Sequence, residues 1–172
     1  SGRLTRLDYW ISEPSTTNNR MALRSAIEAM RIISRKGTRF RLVFTSDSQY
    51  LVKGMSEWTH GWIARGWRRA QGTAPIENLA LWQDAVALAR QHEIAWRWVR
   101  GHAGHPQNEY ANDLAVQGAR EQTASDGAVP SQFDGWLAAK QAKGRLAQAL
   151  APFPDPSQFR ATRPYPIERS PS

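Results

Sequence analysis

The stretch FTSDSQYLV, residues 44–52, passes from an apolar run to a run of Ser, Gln and Tyr through one carboxylate, Asp47. Before it, Phe40, Leu42 and Phe44 alternate with Arg41 and Val43, the period-two pattern of a strand. After it, Gln49 to about Glu57 and Trp58 to Arg65 suit two short helices. A strand that enters a helix through a polar turn is a building unit of α/β layers, and function gathers at the carboxyl ends of such strands. Asp47 therefore has two readings: a cap for the following helix, or one of several carboxylates that converge on a metal ion.

Working outward, residues 3–11 (RLTRLDYWI) suit an extended segment that ends at Glu13-Pro14. STTNNR, residues 15–20, offers helix-capping side chains, and from Asn18 to about Arg35 the apolar positions Leu23, Ile27, Met30 and Ile33 recur at helical spacing. Arg20, Arg24, Glu28, Arg31 and Arg35 form the wet stripe of that helix. GWRRAQGTAPIEN, residues 66–78, reads as a loop; Asn78 is placed to cap a helix over 79–91; and IAWRWV, residues 94–99, alternates as a strand. GHAGHPQN is the next loop, and a helix over about 108–121 is expected to bury Ala111, Leu114, Ala115 and Ala119. The order of elements predicts an α/β layer structure with parallel strands.

Beyond Gln122 the composition changes. TASDGAVPSQ reads as a linker, 133–150 suits an amphipathic helix, and 151–172 holds six of the ten prolines and is expected to be disordered. The predicted organisation is a domain over 1–121, a linker and helix over 122–150, and a Pro-rich tail over 151–172.

The 172 residues contain 41% hydrophobic residues, enough for a core, and no run approaches eighteen uninterrupted apolar residues, so no membrane helix is expected. A cytoplasmic location and a monomer are the default expectations. The absence of cysteine excludes disulfides and thiolate metal sites. The formal charge is +8, and residues 1–121 carry 17 Lys and Arg against 11 Asp and Glu. A surface with this excess attracts polyanions, nucleic acid foremost.

Trp58, Trp62 and Trp67, with Arg65, Arg68 and Arg69, form the densest aromatic and basic cluster in the chain. Core packing accounts for some of these tryptophans, but three arginines within five residues beside a loop suit a phosphate backbone. His102 and His105 lie three apart in a Gly-rich loop; without a third ligand nearby, zinc is disfavoured against a proton-handling role. Glu109 and Asp113 sit near a helix start, where the dipole favours acids in any case.

Taken together, TTNNRMA (16–22), TSDSQY (45–50), GMSEWTHGWIARGW (54–67), NLALW (78–82), WVRGHAGHPQNE (98–109) and NDLA (112–115) make the sequence resemble type 1 bacterial ribonuclease H over roughly residues 5–121. The resemblance implies a ribonuclease H-like mixed sheet of order 3-2-1-4-5 flanked by helices. It also implies endonucleolytic hydrolysis of the RNA strand of RNA–DNA hybrids by Mg²⁺, or by Mn²⁺ in its place.

Residue by residue, the resemblance assigns Asp47 to the carboxylate on the fourth strand and His102 to the mobile histidine of proton handling and product release. It places Asn112 where the family has the aspartate of its last helix, so Asn112 would be a neutral metal ligand. Ala22 falls at the glutamate of the first helix and cannot bind a metal. Asp113 lies one residue, about 100° of helix, away from Asn112. Asn18, Asn19 and Gln49 match minor-groove contacts, and Trp58, Trp62, Arg65, Trp67, Arg68 and Arg69 match the region that approaches the DNA strand. Residues 3–11 match the third strand, so the family's first two strands, with another aspartate, are expected upstream of Ser1. Such a chain would be impaired as a nuclease; the alternative is a non-catalytic RNA–DNA hybrid (R-loop) binding module.

Overall fold

The computed structural model describes residues 3–168. By its packing the chain forms two units, which among the described residues comprise 3–16 with 99–153, and 17–98 with 154–168.

The larger unit is organised by helix α1 (Asn18–Ser34), strand β2 (Arg41–Ser46), helix α2 (Gln49–Lys53), helix α3 (Thr59–Ala64), helix α4 (Leu79–Ala89) and strand β3 (Glu93–Trp98); strand β1 (Leu7–Asp8) belongs to the other unit. Thr17 caps α1 by accepting from the Arg20 amide at 3.2 Å. Leu23, Ala26, Ile27 and Met30 are buried on one face, which packs against α4. β2 and β3 are parallel, with Arg41 opposite Glu93 and Ser46 opposite Trp98. Between them and the helices lie Leu51, Met55, Ile63, Trp82, Val86, Ile94 and Trp96, all buried.

The two short helices expected over 49–65 are one continuous helical path with a π turn, Gly54–Trp58, inserted between α2 and α3. Gly54 lies against the indole of Trp82, and a Cβ at this position would overlap that ring. Asn78 does not cap α4 with its side chain: it adopts a left-handed φ of 55° and its amide nitrogen donates to the Tyr50 hydroxyl at 3.2 Å.

The smaller unit pairs β1 (Leu7–Asp8) antiparallel with β4 (Val129–Pro130), and packs α5 (Pro106–Glu121) beside α6 (Phe133–Ala142). Asp8 is buried at this junction, accepting from the Tyr110 hydroxyl and from the Gln132 amide. Tyr110, Phe133 and Leu137 form its apolar centre. One expectation needs correction here. Ala111, Ala115 and Ala119 are exposed, because α5 turns Tyr110 toward α6 and lays Gly118 against Trp10. The order 3-2-1-4-5 was expected here without its strands 1 and 2, and the described residues show two separate two-stranded pairings, β2 with β3 and, not foreseen, β1 with β4.

The expectation of a disordered tail over 151–172 is also corrected for its described part, since 169–172 lie outside the described residues. A 3₁₀ turn, Pro156–Gln158, leads into a segment whose Thr162 amide donates to Ile94 O at 2.8 Å, along the edge of β3. The six prolines of 151–172 suggested disorder, but partners distant in sequence hold the segment.

Two histidines in the larger unit are only 5% exposed, His60 and His92. The His92 Nδ1 accepts from the Phe40 amide at 3.2 Å, and its Nε2 meets Ser34 Oγ at 2.9 Å, an arrangement suited to the neutral ring. The Nε2–H of His60 donates to Arg163 O at 3.1 Å, while its buried Nδ1 has no partner. Burial depresses both pKa values below 6.5, opposed in part at His60 by the hydrogen bond to the Arg163 carbonyl and reinforced at His92 by the charge of Arg39. The unfolded chain therefore takes up protons first as pH falls. The stability these rings contribute is present above about pH 6.5 and is lost as the pH drops toward their lower folded values. Urea titrations of the full chain at about pH 7.5 and about pH 5.5 should show the lower midpoint at the acid value; equal midpoints would contradict the neutral-ring assignment.

Candidate functional site

Asp47 leaves the carboxyl end of β2, and the cap of α2 is its neighbour: Ser48 Oγ accepts from the Leu51 amide at 3.2 Å. The capping reading of Asp47 is thereby excluded, and its carboxylate stays exposed and uncommitted to the helix. Its carbonyl is held by the indole nitrogen of Trp98, which donates at 3.1 Å from the end of β3. Trp98, 45% exposed, was missed as a site residue by sequence reasoning, because alternation within IAWRWV shows a strand but not which ring reaches across to β2.

The aromatic and basic cluster forms a groove of about 530 Å³ on the same unit, lined by Tyr50, Trp58, Trp62, Arg65 and Arg69, with Glu57 and Glu77 at its wall. Four rings build it: Tyr50 lies 5.8 Å from Trp58 and 5.0 Å from Trp82, and Trp58 lies 6.2 Å from Trp62. The Tyr50 hydroxyl accepts from the Trp82 indole at 3.2 Å, so the buried Trp82 fixes the groove rings from behind. Tyr50, which lines the groove, and Trp82, which backs it, were not singled out by the sequence; aromatic content near Gly54 was the available signal.

Trp67 is turned differently. At φ 62° it packs against the core and does not line the groove, so one of the three tryptophans is core, as their number suggested. The left-handed turn at Gly66-Trp67 throws Arg68 and Arg69 outward, both exposed, and the Arg65 guanidinium donates to Arg68 O at 3.3 Å. Asn18 and Asn19 are exposed on the first turn of α1, and Gln49 is exposed at the start of α2. Ala22 is half-buried and packs against the apolar core.

In the smaller unit, His102 is exposed in the loop before α5, at a left-handed φ of 53°. His105 is a cap: its Nδ1 accepts from the Asn108 amide at 3.2 Å, which removes it from a metal-binding role. Asn112 is half-buried on α5. Asp113 faces α6, where the Trp136 indole donates to it at 2.9 Å and Lys140 lies 3.2 Å away. That indole bond first, and Lys140 with it, hold Asp113 below the usual carboxylate range.

The donors for a metal are few. Among the described residues no group of three or more His, Cys, Asp or Glu side chains is placed to hold an ion. A two-ion centre requires several converging oxygen donors, and the described residues present no such group. No helix of the described residues is long and apolar enough to cross a membrane.

Helices packed on a parallel strand pair, with a carboxylate at a strand end and a basic aromatic groove, define an α/β protein with a surface suited to a polyanion. The chain belongs to the RNase H family, whose model matches residues 5–120. It is 52% identical over 106 residues to the ribonuclease H of Thiobacillus denitrificans, covering 62% of this chain and 69% of that protein. It is 47% identical over 109 residues to the ribonuclease HI of Caulobacter vibrioides, covering 63% of this chain and 70% of that protein. Among solved structures it is similar to LC9-RNase H1, a type 1 RNase H with the type 2 active-site motif, at 54% identity and a TM-score of 0.87, over 100% of this chain and 81% of that one.

Proposed function

We propose that the chain is a ribonuclease H-type endoribonuclease domain, extending over residues 1–121, which binds RNA–DNA hybrids through the larger unit and is impaired in hydrolysis by an incomplete metal ligand set. The observation that carries this reading is the groove of Tyr50, Trp58, Trp62, Arg65 and Arg69 in a chain of this family. Aromatic faces accept sugars and bases regardless of sequence, and arginines accept the phosphates. Asn18, Asn19 and Gln49 are the candidates for minor-groove contact, where the 2′-hydroxyl separates RNA from DNA.

Asp47 and Asn112 would be the metal-facing donors for Mg²⁺, or Mn²⁺ in its place, and His102 the loop histidine that handles the proton of the leaving group. β2 and β3 would answer to the fourth and fifth strands of the family sheet. The protein would act as a monomer in the cytoplasm. A second reading, a non-catalytic hybrid-binding module, is favoured by one observation: Ala22 is packed against the apolar core where the family resemblance expects a glutamate.

Binding tests the proposal. In EDTA, anisotropy titrations should show tighter binding of a labelled RNA–DNA hybrid than of the same sequence as duplex DNA. Replacing Arg65, Arg68 and Arg69 together by Ala should weaken hybrid binding and lower the slope of log K against log salt by about 2–3. Equal affinity for both duplexes, or an unchanged salt slope, would remove the groove from the account.

A further inference from the structure

We propose that residues 159–168, outside the segment matched by the family, form a strap that holds the π turn of the groove in place, with Tyr165 as its positioning residue; this rests on the hybrid-binding reading. The strap is anchored at two points. On the edge of β3, the Thr162 amide donates to Ile94 O at 2.8 Å and Thr162 Oγ accepts from the Trp96 amide at 3.2 Å. Farther on, the Arg90 guanidinium donates to Pro166 O at 2.7 Å and to Tyr165 O at 3.5 Å.

Between these anchors Tyr165 reaches the back of the groove. Its hydroxyl donates to Met55 O at 2.8 Å, and its ring stacks on His60 with centroids 4.8 Å apart and planes 26° from parallel. Met55 lies within the π turn Gly54–Trp58, and His60 lies on α3, one turn before Arg65. A π turn adds a residue to the helical path, so side chains beyond it are rotated by about 100° relative to an unbroken α-helix. The directions of Trp58, Trp62 and Arg65 therefore depend on that turn. The turn is secured on one side by Gly54 against Trp82 and on the other by Tyr165. Removal of the phenol hydroxyl leaves Met55 O without this donor and frees the turn to relax toward regular α-helix.

The test uses the full chain with Tyr165→Phe, which keeps the ring and deletes the hydroxyl, beside Thr162→Val, which loosens the strap at β3 away from the groove. Amide exchange over residues 54–65 should quicken about 2- to 10-fold in Tyr165→Phe, the worth of one hydrogen bond, and hybrid affinity should fall by a similar factor. Thr162→Val should lower the melting temperature and reduce hybrid affinity by less than Tyr165→Phe does, since the Thr162 amide and Arg90 still hold the strap. Unchanged exchange over 54–65 in Tyr165→Phe overturns the strap's role, as does an equal loss of affinity in both variants, which would mark general loosening. If the wild-type chain fails to bind hybrid, the hybrid-binding reading is lost, while the exchange measurement still decides whether Tyr165 positions the turn.

Discussion

Gly54→Ala lowers the thermal midpoint of the chain by about 4–8 °C, corresponding to about 2 kcal/mol for a protein of this size. The new methyl group would occupy space held by the Trp82 ring, which is 0% exposed and whose indole nitrogen is already committed to the Tyr50 hydroxyl. Overpacking of this kind costs up to about 3 kcal/mol, and the better helix propensity of Ala returns about 1 kcal/mol of it. Since Trp82 lies within 6.5 Å of both Trp58 and Trp62, its displacement also disturbs the groove. Gly135→Ala provides the opposite case: this glycine lies within α6 with nothing near its Cβ direction, so the same substitution should raise stability by about 0.5–1 kcal/mol. Differential scanning calorimetry of the two variants checks both signs, and a Gly54→Ala midpoint equal to wild type would contradict the packing described.

The larger expected effect is on chemistry. Cleavage of hybrid by the chain is expected to be at least about 10³-fold slower than by a relative with a complete ligand set, since loss of a single electrostatic stabiliser costs about 10²–10³ in rate. On the proposed assignment, one ligand position carries Ala22 and another the neutral Asn112. Ala22→Glu separates the two readings of the protein. Cleavage with Ala22 in place ends the binding-module reading; cleavage only after Ala22→Glu strengthens it.

Much of the larger unit was legible from local pattern. The stripe Leu23, Ile27, Met30 gave α1 its buried face, and alternation identified β2 and β3, because in these elements burial follows a single period. Nonlocal features were not legible in this way. Asp47 and Ser48 are both capable caps, and only the geometry shows that Ser48 takes the role. The π turn leaves no periodic mark, since one extra residue reads as an ordinary break between helices. On α5 the apolar period predicted a covered face, yet a period cannot say what covers it, and Ala111 and Ala115 are exposed while Tyr110 is buried. The strap was read as disorder from its prolines, although Thr162 and Tyr165 have partners 66 and 110 residues away.

The central claim, that this chain holds a hybrid but lacks the ligands to cut it efficiently, is tested most directly by a single-turnover assay. The 172-residue chain at saturating concentration is mixed with an end-labelled RNA–DNA hybrid in Mg²⁺, with anisotropy and RNA fragment length followed on the same sample. The account predicts a stable rise in anisotropy with the RNA strand left intact over many minutes. Rapid, Mg²⁺-dependent appearance of short RNA fragments would contradict it.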